Sequence, residues 1–139
     1  MVAVTVVDSN VWIFLNLDMA PEHVAAVEQI ERHRAGELLL NVIIVSEVLH
    51  KLQTLINPDS ARLRVNKMLT SDFVVYEPLS RQAVDRAIVL TRKARIRIND
   101  ALIAAHALES HQAVLTDDVR DFRRVPGLEV IPLRRNGRT

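Results

Sequence analysis

Cysteine is absent from all 139 residues. That excludes disulfides, thiolate nucleophiles and zinc sites built on sulfur, and it fits a chain kept in a reducing cytosol. Aromatic residues are few: three Phe, one Trp and one Tyr. The lone Trp12 is therefore read as core or dimer interface rather than as a platform for base stacking. Long apolar runs are missing too. Runs such as Val2–Val7, broken by Thr5, and Ala101–Ala105 are far shorter than the roughly 20 apolar residues that a membrane-spanning helix needs. The opening Met-Val-Ala-Val-Thr-Val-Val-Asp has neither the basic start nor the cleavage site of a secretory signal. A soluble, cytoplasmic protein with no membrane partner is expected. Lysine is also scarce, three against fifteen Arg, and net charge is only +1, so the molecule is not a polycation. Arg grips phosphate with two parallel hydrogen bonds. A GC-rich genome inflates Arg as well, so the excess by itself implies no nucleic acid.

Half the residues are apolar and a quarter charged, as in an ordinary globular chain. Length points to one domain. Strand and helix patterns alternate. Val2–Val7 is apolar on both faces, as a central parallel strand must be. Pro21 opens a helical segment with Val24, Val27 and Ile30 in step, and Gly36 closes it. Leu38–Leu40 reads as a second strand and Val42–Ile56 as a helix. Asn57-Pro58 breaks it, and a short helix follows through Ala61, Val65, Met68 and Leu69. Phe73–Tyr76 is a third strand. Ser80 caps a helix whose inner side is read as Val84, Ala87, Ile88 and Thr91. Asn99 or Asp100 starts the helix Ala101–Leu108, Ala113–Thr116 is a fourth strand, and Val119–Arg124 is a short helical turn. Pro126-Gly127 turns the chain into a last strand, Leu128–Ile131. The expected fold is α/β: a single three-layer α/β/α domain over residues 1–133. Its mainly parallel sheet of about five strands is flanked by helices. A basic, flexible tail over 134–139 follows.

Acids fall at the ends of these apolar segments. Asp8 follows the first strand. Glu47 sits in an otherwise apolar helix start, and Asp100 opens a helix of Ala, Leu and Ile. Asp117 and Asp118 follow the fourth strand. Two of these places are carboxyl ends of strands, where open α/β sheets put their ligands. Each acid also has an ordinary explanation. Asp8 could close a strand with an Asx turn, Glu47 could pair with Lys51 one helical turn on, and Asp100 could serve the helix dipole. Asp117 and Asp118 could simply be turn residues. Their conjunction is harder to dismiss. Converging carboxylates stay ionised only with a cation between them; otherwise one takes up a proton. Oxygen donors without Cys or clustered His suit Mg²⁺ or Mn²⁺. Such an ion activates water and neutralises a phosphoryl group, so phosphodiester hydrolysis follows as a reaction class.

The motifs around these acids resemble a known family. Val6-Val7-Asp8-Ser9-Asn10-Val11-Trp12-Ile13, Ser46-Glu47-Val48, Asn99–Ala107 and Leu115-Thr116-Asp117-Asp118-Val119-Arg120-Asp121-Phe122 resemble, in order, the four motifs of the PIN domain. The likeness is greatest to the toxin of VapBC toxin–antitoxin pairs. The final Gly127–Val130 segment resembles the family's Gly-Leu-x-Val strand. The resemblance runs from Val4 to Leu133.

That resemblance implies a Mg²⁺- or Mn²⁺-dependent endoribonuclease that hydrolyses RNA with a metal-activated water. It makes Asp8 and Asp100 the principal metal ligands, with Glu47 and Asp118 completing the catalytic set directly or through water. Ser9 and Thr116 match the hydroxyl positions that orient the carboxylates. Thr-x-Asp spacing makes Asp118 the family acid, so Asp117 and Asp121 are supporting. It also implies a cognate antitoxin and a homodimer, with Val42–Ile56 and Ala61–Leu69 as faces that could supply the contact. Arg92, Arg95 and Arg97, with Lys93 among them, are candidates for RNA phosphates or simply a solvated helix end. His106 lies six residues past Asp100, about 600° around the helix, facing away from that acid, and is read as structural.

Rival readings are an RNA-processing nuclease without antitoxin and a non-catalytic metal-binding scaffold. A degenerate scaffold would be expected to lose acids, and none of the four is missing. A phosphate-accepting receiver would want paired acids after the first strand, and a haloacid-dehalogenase-like enzyme Asp-x-Asp there; position 10 is Asn.

Overall fold

The computed structural model describes residues 4–134. Five strands form one sheet: β1 (Thr5–Val7), β2 (Leu38–Leu40), β3 (Val74–Tyr76), β4 (Ala113–Thr116) and β5 (Val130–Pro132). Their spatial order is β3-β2-β1-β4-β5, and every neighbouring pair is parallel. β1 and β2 are buried along their whole length, which explains why both read as unbroken apolar runs. Residues 2 and 3 of the expected first strand, and 135–139 of the expected tail, lie outside the described residues.

Seven helices connect the strands: α1 (Ser9–Leu15), α2 (His23–His33), α3 (Val42–Leu55), α4 (Pro58–Leu69), α5 (Arg81–Lys93), α6 (Ile98–Glu109) and α7 (Val119–Phe122). Moving from β1 to β2 to β3 steps the chain one way across the sheet, and β4 and β5 continue on the other side of β1. Right-handed crossovers therefore place α1–α4 on one face and α5–α7 on the other. Most contacts follow that division: α1 meets α2 and α3, α3 meets α4, α5 meets α6, and α6 meets α7, while α3 also touches α6 across the two faces. The expected three-layer architecture is the one found.

Local chemistry sets the boundaries. Asn41, Asn57 and Ser80 each accept a main-chain N–H with the side chain, capping α3, α4 and α5. Pro58 occupies the first turn of α4, where a missing N–H costs nothing. Gly127 turns toward β5 with φ +80, a conformation natural to glycine.

Several expectations need correcting. Ser9–Leu15 is a helix that the pattern did not suggest. The inner side of α5 is Ala83, Ala87 and Leu90, while Ile88 is 55% exposed. Small alanines let α5 lie close on α6, and the bulky β-branched residues turn outward. On α2, Val24 and Val27 face solvent and Ala26 and Ile30 are buried. A 3-10 turn, Arg34–Gly36, closes α2, and Glu37 rather than Gly36 takes the left-handed conformation. α6 begins at Ile98, with Arg97 as the capping position. The last strand starts two residues later than Leu128. The expected tail is anchored at its first residue: Arg134 donates to both carboxylate oxygens of Asp117, at 2.9 and 2.7 Å.

Candidate metal centre

The sheet order reverses at β1 and β4, and the crevice outside their carboxyl ends is where such sheets bind ligands. Asp8 follows β1 directly, with its main-chain N–H bonded to the Leu115 carbonyl of β4 at 2.9 Å. This ties the start of α1 to the neighbouring strand. The side chain is 3% exposed. Oδ1 accepts from the Ser9 main-chain N–H at 2.7 Å, and Oδ2 accepts from the Thr116 hydroxyl at 2.7 Å. The Ser9 contribution thus comes from its backbone, whereas Thr116 acts through its hydroxyl.

Thr116 serves more than Asp8. Its Oγ1 also accepts from the Asp118 main-chain N–H at 2.9 Å and from the Asn10 amide at 3.4 Å. Asn10 Oδ1 in turn accepts from the Asp117 N–H at 3.2 Å. One fully buried hydroxyl thereby sets the position of two acids that follow two neighbouring strands. Asn10 and Asn99 play parts that the sequence did not disclose. Asn99 Nδ2 donates to Glu47 Oε2 at 3.3 Å, linking the first turn of α6 to α3. The adjacency of Asn10 to Asp8 and of Asn99 to Asp100 was the available signal.

Asp100 lies in the first turn of α6, as the helix dipole favours. An open cleft of about 590 Å³ is lined by Glu47, Arg97, Ile98, Asn99, Asp100 and Asp118. Asp100, Asp118 and Asp121 each offer a carboxylate oxygen within 4.8 Å of the others. Asp121, read from sequence as supporting, stands inside this tightest group because α7 turns it back beside Asp118. Asp8 and Glu47 lie just outside it. Asp117 points to Arg134 instead. Of the three arginines singled out, Arg97 lines the cleft, whereas Arg92 and Arg95 do not.

Electrostatics records the crowding. Burial pushes the Asp8 carboxyl up to about 6, against hydrogen bonds from Thr116 and Ser9 that lower it, and Glu47 and Asp118 add to the rise. Burial pushes Asp100 up to about 7, helped by Asp8, Asp118, Glu47 and Asp121. Asp118 is raised by burial first and then by Asp121. Four neighbours of one carboxylate are themselves carboxylates, and like charges this close resist joint ionisation. The donor set is all oxygen, which fits a hard divalent cation such as Mg²⁺ or Mn²⁺.

His106 faces away from these acids, as expected. It is 2% exposed and bonded to Asn41 and Glu77, both at 2.8 Å. Trp12 is likewise core: it is 2% exposed, and its indole N–H donates to the Val7 carbonyl at 3.2 Å.

Among curated proteins no significant sequence match is found. Among solved structures, DNA-bound VapBC from Salmonella typhimurium superposes with a TM-score of 0.76 at 19% identity, over 96% of this chain and 100% of that one. VapC20 of Mycobacterium tuberculosis, a sarcin–ricin-loop-cleaving toxin, does so at 0.75 and 17%, over 92% and 99%. VapBC2 from Rickettsia felis, bound to promoter DNA, gives 0.74 and 15%, over 93% and 98%. At such identities the likeness is one of fold. The family model for the PIN domain matches residues 5–128, a span that includes all the acids of the cleft, and the chain belongs to the PIN domain family.

Proposed function

We propose that this protein is a divalent-cation-dependent endoribonuclease and the toxin of a toxin–antitoxin pair. The observation that carries the reading is the crowding of Asp8, Glu47, Asp118 and Asp121 about Asp100 at the switch point of the sheet. Family membership and the shared fold with VapBC and VapC structures support it.

In this reading Asp8 and Asp100 are the principal ligands of Mg²⁺ or Mn²⁺, and Glu47 and Asp118 complete the set, with Asp121 beside them. When bound there, the cation neutralises charge on the phosphoryl group and makes a water easier to deprotonate. The chain's own residues hold the geometry. Ser9 N–H and the Thr116 hydroxyl occupy one lone pair on each Asp8 oxygen, which fixes the carboxylate plane and leaves its remaining lone pairs free. Asn99 restrains Glu47. Arg97 brings a positive charge to the rim of an otherwise acidic cleft, where it can meet a phosphate. Arg92 and Arg95, outside the cleft lining, are the further candidates for contact with backbone phosphates. In the hydrolysis, water oxygen bonds to phosphorus, one phosphorus–oxygen ester bond breaks, and the departing ribose oxygen takes a proton.

The partners in this reading are an RNA substrate, a cognate antitoxin and a second copy of the chain, in the cytoplasm. Among the described residues no helix is long and apolar enough to cross a membrane. The test is to sequence RNA ends after expression of the protein and of its Asp100→Asn variant. New ends that recur at defined sites with the parent protein alone support the reading. The same ends with both proteins, or none with either, overturn it.

A further inference from the structure

Positive charge gathers next to the acidic cleft in a separate hollow. Lys93, Ala94, Arg95 and Arg124 line an open depression of about 440 Å³. No carboxylate is among them. Among the described residues, the Arg ion pairs involve Arg34, Arg81, Arg86, Arg124 and Arg134, so Lys93 and Arg95 pair with no acid. The backbone is held in an unusual form there. Arg95 takes φ 56, a left-handed conformation that L residues other than Asn and Asp seldom adopt. Its carbonyl accepts from Arg124 Nη1 at 3.2 Å. Arg124 also stands 3.7 Å from Asp121, which belongs to the tight acid group. Arg95 precedes Arg97, on the rim of the acidic cleft, by two residues, a reach of at most about 7 Å. Both sides of the hollow are therefore tethered to the acids, one through Arg97 and one through Asp121.

We propose that this hollow binds a backbone phosphate of the RNA, next to the phosphate presented to the acids. The inference rests on the ribonuclease reading and adds to it a second anchoring point. An anionic chain with repeating charges is the ligand that suits a basic hollow beside an acidic cleft that would hold a divalent cation. Two guanidinium groups and an ammonium can grip phosphate but offer no base reading, so the site positions a strand without selecting its sequence.

The test measures binding of short single-stranded oligoribonucleotides of different sequence as a function of salt, with Mg²⁺ present. Asp100→Asn serves as the background so that the strand stays whole. Adding Lys93→Gln and Arg95→Asn removes two charges and keeps a residue that tolerates the left-handed backbone; Arg124→Gln is then added as a third change. Affinity is expected to fall about equally for all sequences, and the slope of log K against log salt to lessen by about 0.7 for each phosphate that is no longer neutralised. An unchanged slope in the folded double variant overturns the proposal, as does a weakening confined to one sequence. So does weaker binding of a protein partner with RNA binding intact. Cleavage by the parent protein is scored separately. Failure to cut RNA, with the slope still lessened, would sink the ribonuclease reading and leave the phosphate site standing.

Discussion

His106 Nδ1 and the Asn41 side-chain amide lie 2.8 Å apart, buried between the start of α3 and the last turn of α6. Their roles are fixed by a third group. Asn41 Oδ1 already accepts from the Ile44 N–H at 3.0 Å as the cap of α3, so the amide nitrogen faces the ring and donates. Nδ1 is then an acceptor, and Nε2–H donates to Glu77 Oε1 at 2.8 Å. A neutral imidazole with its proton on Nε2 thus joins the helix carrying Glu47 to the helix carrying Asp100.

Removing that ring should be costly. His106→Ala leaves a cavity and strands the buried Asn41 amide, while Glu77 keeps its bond from the Ser110 hydroxyl, and a decrease of about 3 kcal/mol in unfolding free energy is expected. Urea denaturation followed by circular dichroism checks it. A decrease below about 1 kcal/mol would mean that the three side chains contribute little beyond packing.

Thr116 is the hinge of the acidic centre. Thr116→Val keeps shape but removes the donor to Asp8 and the acceptor for the Asp118 N–H. Weaker Mn²⁺ binding by calorimetry is expected, with stability lower by about 1–3 kcal/mol because the buried Asp8 oxygen and the part-buried Asp118 N–H both lose their partner. Thr116→Ser retains the hydroxyl and should recover most of the Mn²⁺ affinity. Equal affinity in the Val and Ser variants would mean that the hydroxyl does not position the acids.

The acids should set how stability varies with pH in the metal-free protein. The Asp8 and Asp100 carboxyls are raised from 3.8 to about 6 and about 7. The folded state therefore holds their protons more tightly than the unfolded chain does, and stability falls as both ionise. Their contribution is full below pH 3.8 and is lost as pH rises through about 6 and about 7. Denaturation in EDTA across this range should show the decline, and saturating Mg²⁺ should reverse it. Asp100→Asn, which relieves crowding, should flatten the curve. Stability that rises through the same window in EDTA would contradict the crowding of these carboxylates.

The acids of the centre were legible in the sequence because each interrupts an apolar segment whose register is easily read. Asp8 follows Val6-Val7, and Asp100 begins a run of Ala and Ile, so chain order alone carries both to the sheet's carboxyl edge. Asp121 was harder to place. Its position depends on α7, a four-residue turn too short to show a period. α1 was hidden for a related reason: Val11–Leu15 is apolar on every side, and seven residues show no clear helical period. The outward turn of Ile88 reflects close α5–α6 packing through alanine, a tertiary effect that a single helix pattern does not encode. Asn10, Asn41 and Asn99 join elements distant in the chain, and no local pattern records such links.

If the gathered carboxylates cut RNA with the help of a divalent cation, purified protein should do so on its own. The decisive assay compares it with the Asp100→Asn variant, both shown by circular dichroism to be folded at the assay temperature, on RNA across a titration of Mg²⁺. Cleavage should rise with Mg²⁺, vanish in EDTA and be absent in the variant. Cleavage by the variant equal to that of the parent, at any Mg²⁺ concentration, would refute the role assigned to the acids.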